Sequence, residues 1–121
     1  MHSENWWREL FATIDDRQAQ RFASYLTHDG EFRFGSSPSV HGRENIEAYV
    51  AAFFGMIGGS RHELVHTWED AGTVVAEGLV TYTRLDRSQV QIPFVNVFYM
   101  RGEEIARYLI FIDNAPLFAS G

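Results

Sequence analysis

Residues Gln89–Asp113 read QVQIPFVNVFYM, then RGEE, then IARYLIFID. Two apolar runs rich in Val, Ile, Phe and Tyr flank a short turn containing Gly102, and such residues suit a pleated surface. The pattern predicts an antiparallel hairpin. Side chains alternate along a strand, so Val90, Ile92, Phe94, Asn96, Phe98 and Met100 share one face, while Val95, Val97 and Tyr99 share the other. On the second strand Tyr108, Ile110 and Ile112 oppose Leu109, Phe111 and Asp113. Both faces are largely apolar, whereas an antiparallel sheet at a surface usually keeps one face wet. Each side therefore needs a cover: helices on one, a curled sheet or a partner subunit on the other.

Asn96 breaks this apolar pattern. A buried amide needs hydrogen-bond partners, so Asn96 is either a structural amide or a polar handle facing a ligand in an otherwise apolar pocket.

Working outward from the hairpin, the preceding segments also read as strands: Arg61–Glu69, a turn at Asp70–Gly72, and a long strand Thr73–Leu85. Pro93 cannot donate to a ladder and marks a bulge or an edge position. The N-terminal half is helical. Ser3 caps a first helix whose stripe is Trp6, Trp7, Leu10, Phe11 and Ile14. Asp15 and Asp16 interrupt that stripe, and either can cap a second helix carrying Ala19, Phe22, Ala23 and Leu26. A turn at Thr27–Gly30 leads to a short strand Glu31–Phe34, a loop Gly35–Gly42, and a third helix Arg43–Met56 with Ile46, Tyr49, Val50, Phe53 and Phe54 inward. In the tail Ala115–Gly121, Leu117 and Phe118 are expected to pack on the body or across a subunit interface. The order predicts one α+β domain spanning residues 1–121. A curved antiparallel sheet wraps three N-terminal helices.

Composition narrows the function. At 121 residues, 45% hydrophobic and 15% aromatic, the chain can build a core. No apolar run approaches a membrane span and no leader pattern opens the chain, so a cytoplasmic setting is expected. Cysteine is absent, which removes disulfides and thiolate chemistry. A net charge of −6 argues against nucleic acid or an anionic membrane as partner.

The segment HELVH, residues 62–66, has the letters of a zinc-peptidase motif. That chemistry needs both histidines on one face of a helix. Here a glycine pair precedes it and Leu64, His66 and Trp68 alternate with Val65, Thr67 and Glu69, so it reads as a strand. Residues four apart on a strand lie about 13 Å apart. No metal site is expected; one of the two histidines can line a pocket. Among the carboxylates, Glu77 and Asp113 are the best placed in apolar strands, where burial would suit them to proton transfer. The Tyr82 hydroxyl, on the face of Val80 and Gly78, is a candidate donor. Phosphate loops, nucleophile elbows and cofactor-anchoring motifs are missing, and no cofactor is expected.

Four stretches carry a family likeness: DDRQAQRFASYLTHDGEFRF, VHGRENIEAYVAAFF, HELVHTWEDAGTVVAEGLVTYTR and IPFVNVFYMRGEEIARYLIFID. Together they resemble the SnoaL-like group of the nuclear-transport-factor-2-like superfamily over nearly the whole chain. The resemblance implies a cone-shaped, cystatin-like α+β barrel with a deep pocket, often dimeric, in a group that holds ketosteroid isomerases, polyketide cyclases, epoxide hydrolases and non-enzymes. It places Asn96 where the isomerases carry an oxyanion-binding acid, and Phe34 where they carry the proton-shuttling carboxylate. Their helix-1 tyrosine falls near Leu10 or Phe11. The epoxide-hydrolase Arg and Asp fall on Gly78 and Val80, and its second Asp on Ile110. His66 and Asp113 are then the remaining acid–base candidates.

The resulting expectation is a pocket lined by Phe32, Phe34, Val80, Tyr82, Ile92, Phe94, Asn96, Tyr108, Ile110 and Ile112. It would take a small, mostly apolar carbonyl compound, with Asn96 and Tyr82 donating to an enolate oxygen. Isomerisation or cyclisation is the implied chemistry. The alternative is a non-catalytic module that uses Val95, Val97, Leu109 and Phe111 to form a homodimer or to hold a partner protein.

Overall fold

The structure, a computed structural model, describes residues 2–118. Its elements are α1 (Glu4–Asp15), α2 (Ala19–Ala23), β1 (Leu26–Phe34), β2 (Val40–His41), α3 (Arg43–Phe54), β3 (Gly59–Asp70), β4 (Thr73–Thr83), β5 (Gln89–Arg101), β6 (Glu104–Ile112) and α4 (Ala115–Phe118). The Ser3 side chain accepts from the Trp6 amide at 3.1 Å and starts α1 as expected. In α3, Ile46, Val50 and Phe54 are buried at a spacing of four, one face of a helix.

The six strands form one sheet in the order β2-β1-β6-β5-β4-β3. Strands β3 to β6 make an antiparallel meander whose last two strands, the hairpin, lie at the centre of the sheet: Val95 opposes Phe111 and Phe98 opposes Tyr108. Gly102, at φ +62, sits in its turn. The expectation of a wholly antiparallel sheet needs one correction. The last strand returns beside β1 in the same direction, so Phe32 pairs with Tyr108 and Phe34 with Ile110 in parallel register. β1 also begins earlier than expected. The turn foreseen at 27–30 is a register shift inside the strand, pinned by Arg43, whose Nε donates to the Leu26 carbonyl at 3.0 Å.

Helices α1 to α3 cover the concave face. Trp7, Leu10, Phe11, Phe22, Ile46, Val50 and Phe54 pack there with Phe32, Val80, Tyr82, Phe94, Phe98 and Tyr108. The convex face solves its covering problem differently. Arg33 lies over the Phe111 ring at 5.3 Å and Arg107 over Tyr99 at 4.7 Å. Arginine stems shield apolar surface while their heads stay wet, and Leu109 is only 4% exposed although it faces outward. Pro93 stands one residue beyond the last β5–β6 pair, where its strand has a partner on one side only. Leu117 packs on the body, held by Arg84 donating to the Pro116 carbonyl at 2.7 Å, whereas Phe118 is exposed. The rest of the tail, 119–121, lies outside the described residues. Among those residues no helix is long and apolar enough to cross a membrane.

Candidate active site

HELVH lies within β3, as its alternation predicts, but the strand does not keep phase through it. Leu64 pairs with Gly78 and His66 with Glu77, so Val65 is an extra residue. Such a bulge reverses which face later side chains take. His62, opposite Val80, points to the concave side. His66, opposite Glu77, turns outward, is exposed and rests on Trp68 at 4.3 Å.

The interior histidine is paired. Its Nδ1 lies 2.6 Å from Asp15 Oδ1, its backbone N–H donates to Asp15 Oδ2 at 3.0 Å, and the Ser60 hydroxyl donates to Oδ1 at 2.8 Å. Asp15 is the last residue of α1. Burial pushes its carboxyl pKa up, but the hydrogen bond and charge of His62, with the Ser60 bond, outweigh this and hold it below the usual carboxylate range. The carboxylate is therefore ionised near neutrality and accepts only. A hydrogen on Nδ1 points at it, which leaves Nε2 as the nitrogen free to act as a base. Among the described residues Nε2 has no hydrogen-bond partner. The ring itself is fixed by stacking on Phe11, at 4.9 Å and 5° between planes, and by an edge contact with Phe94 at 5.6 Å. Gly78 allows that edge contact. A Cβ there would stand 2.6 Å from the Phe94 ring and 2.5 Å from the Glu63 carbonyl.

His62 forms part of the wall of a small cavity, about 40 Å³, inside the cone. Most of the remaining lining is hydrocarbon, including Phe22, Phe32, Phe34, Phe53 and Ile110, with Tyr49 and Tyr82 as the lining residues that carry hydroxyls. Burial, and then the Asp15 charge, push the Tyr82 pKa far up, so it stays a protonated donor. Phe34, Tyr49 and Phe53 separate this cavity from a vestibule of about 270 Å³ under α4.

The structure distributes the expected site residues unevenly. Phe32, Phe34, Tyr82 and Ile110 line the cavity. Val80, Ile92, Phe94, Asn96 and Tyr108 are buried on the same face, packed in the core around it, and Ile112 is half-buried at its edge. Asn96 Oδ1 and the Tyr108 hydroxyl are buried without a hydrogen-bond partner among the described residues. Asp113 is exposed and accepts from the Ala115 amide at 3.1 Å, a cap for α4 away from the cone. Glu77 is exposed on the convex face. The His62–Asp15 pair stands inside instead. Sequence reasoning missed it, although one signal was present: Trp7, Phe11 and Asp15 recur every four residues, which puts Asp15 on the buried face of α1.

The pair also sets a pH dependence. The folded Asp15 pKa lies below its ordinary value of 3.8, so the unfolded chain takes up the proton first. The stabilisation is complete above 3.8 and is lost as pH falls through that value toward the folded pKa. Denaturant midpoints measured between about pH 5 and pH 3 should fall more steeply for the wild type than for Asp15→Asn. Equal slopes would contradict the pairing.

Comparisons with known proteins agree with this fold. The SnoaL-like domain family matches residues 7–108. A protein of unknown function from Burkholderia pseudomallei, described as NTF2-like, superposes with a TM-score of 0.83 at 17% identity, covering 96% of this chain and 95% of that one. A hypothetical protein with a ketosteroid isomerase-like fold from Catenulispora acidiphila, in complex with trimethylamine, gives 0.82 at 16%, covering 91% and 86%. A SnoaL-like polyketide cyclase structure from Jannaschia gives 0.73 at 15%, covering 94% and 92%. At such identities these likenesses establish the fold. No curated protein sequence matches the chain.

Proposed function

Because the chain belongs to the SnoaL-like family, we propose that its cone binds a small, mostly apolar carbonyl compound and enolises it for isomerisation or cyclisation. The observation that carries this reading is the His62–Asp15 pair set into an apolar wall beside Tyr82, its diagonal neighbour on the same face of the sheet. His62 Nε2 takes a proton from the carbon next to the carbonyl, and that C–H pair of electrons moves into a carbon–carbon double bond. The carbonyl oxygen gains the charge and accepts a hydrogen bond from Tyr82. The imidazolium, steadied by Asp15, then returns a proton to another carbon of the ligand. This places the base on β3 rather than on β1, where Phe34 stands.

Size adds a condition. Small-molecule pockets usually measure roughly 300–1,000 Å³, and a space of about 40 Å³ holds a water or so. Tyr49 and Phe53, both half-buried, must swing aside and join the vestibule to the cavity. The ligand thus arrives between α3 and the C-terminal turn. The test is a panel of small cyclic and aryl ketones in D₂O, followed by NMR for loss of hydrogen next to the carbonyl. At least one member of the panel should exchange faster with the protein than with buffer, and the gain should vanish in Phe53→Trp. Exchange no faster than in buffer across the panel would count against the reading.

A further inference from the structure

His62 faces two spaces. One is the small cavity inside the cone; the other is a groove of about 640 Å³ between α1 and β3. It is the one residue common to the two linings among the described residues. Its side chain is 9% exposed, so the imidazole is a thin wall between an apolar compartment and a polar one. The two sides differ in chemistry. Beyond His62, the cavity offers no carboxylate, ammonium or guanidinium group that could pass a proton onward. The groove carries Glu4, Arg8, Asp15, Asp16 and His66 along its walls. Asp15, which holds the Nδ1 hydrogen, therefore has one side on the imidazole and one on the groove.

We propose that the α1–β3 groove is a solvent port, occupied by water and small polar solutes, through which His62 exchanges its proton while the ligand closes the cone. This rests on His62 being the base in the reading above. Nε2 keeps the proton taken from the ligand, the Nδ1 proton passes to the Asp15 carboxylate, and Asp15 hands it to a groove water. The ring is left neutral, with the ligand-derived hydrogen on Nε2. The positive charge of the ring, and not the ligand's own proton, thereby leaves for bulk water without the aromatic gate at Phe34, Tyr49 and Phe53 opening. The bulge at Val65 helps to shape this port, because it ends the inward phase of β3 just past His62.

The test needs no ligand, so its outcome is independent of whether a substrate is found. Deuterium from D₂O replaces the hydrogen on the imidazole carbon between the two ring nitrogens, and water is small enough for the groove; peptide mass spectrometry reads each histidine separately after labelling of the intact chain. Wild-type His62 should label despite its burial. Ala12→Trp, which fills the groove from α1, should force labelling to wait for local opening and slow it about tenfold or more. His28 and His41, exposed elsewhere, should keep their rates and so report an intact fold. Arg8→Trp narrows the same groove from an exposed position and should act in the same direction, which covers the case of a misfolded position 12 variant. Phe53→Trp, on the cone side, should leave the His62 rate unchanged. An unlabelled His62 in the wild type, or a rate lowered by Phe53→Trp and not by either groove variant, would overturn the proposal.

Discussion

Replacing His62 by Gln should slow ketone hydrogen exchange by roughly 10²–10⁴-fold near neutral pH, the usual contribution of a positioned general base. Gln approximates the length of the imidazole and keeps an amide that can still meet Asp15, but it has no basic nitrogen. Ligand affinity, set by the apolar wall, should change little. The effect should therefore fall on turnover rather than on binding, which saturation kinetics on the best ketone of the panel would separate. Equal turnover in the variant would remove His62 from the chemistry. His28→Gln is the internal control. That ring is exposed on β1 and lines neither the cavity nor the groove, so its turnover should match the wild type.

The second large effect is on stability. Phe98 is fully buried and is the ring on which α1 sits: Trp7 stacks on it at 5.4 Å, Trp6 meets it edge-on at 6.3 Å, and Tyr108 lies at 4.3 Å. Phe98→Ala removes those contacts and leaves a cavity between helix and sheet, at a cost of about 3–5 kcal/mol. Phe111→Ala on the convex face, where the ring is 48% exposed beneath Arg33, should cost under about 1 kcal/mol. Urea midpoints of the two variants measure the difference. A similar cost at both positions would mean that the convex face is buried against something in solution, as the homodimer expectation requires.

The contrast between these two phenylalanines follows from alternation, and alternation was legible in the sequence. The hairpin Gln89–Asp113, the inward set Ile92, Phe94, Asn96 and Phe98, and the strand character of HELVH could all be read from side-chain period and turn residues. The Ser3 cap was legible for the same local reason. The features that escaped depend on pairs distant along the chain. The parallel β1–β6 contact is set by where the meander ends, not by the composition of either strand. The phase of His62 and His66 depends on one extra residue, Val65, and nothing in the local pattern of β3 marks it as extra. A strict period of two puts both histidines on the same face. The Asp15–His62 contact spans 47 residues and needs the helix phase and the bulged strand phase together. Asp113 looked well placed because an apolar strand leads into it, yet the strand ends at Ile112 and its carboxylate caps the next turn.

The arginine cover of the convex face was out of reach for a related reason. Charged residues in a strand read as the wet positions of an alternating pattern. Arg33 and Arg107 do face out, but their stems and guanidinium planes lie over the aromatic rings beside them. A face that is apolar by composition is thereby partly shielded without a second layer.

The most direct measurement is a crystal structure of the protein with the best-exchanging ketone bound. The ligand should lie inside the cone, with Tyr49 and Phe53 rotated outward and the ketone oxygen within hydrogen-bond reach of the Tyr82 hydroxyl. The carbon that loses its hydrogen should face His62 Nε2, with Asp15 still on Nδ1. A ligand seated in the α1–β3 groove or on the convex face, with the cone still closed, would contradict the proposed function.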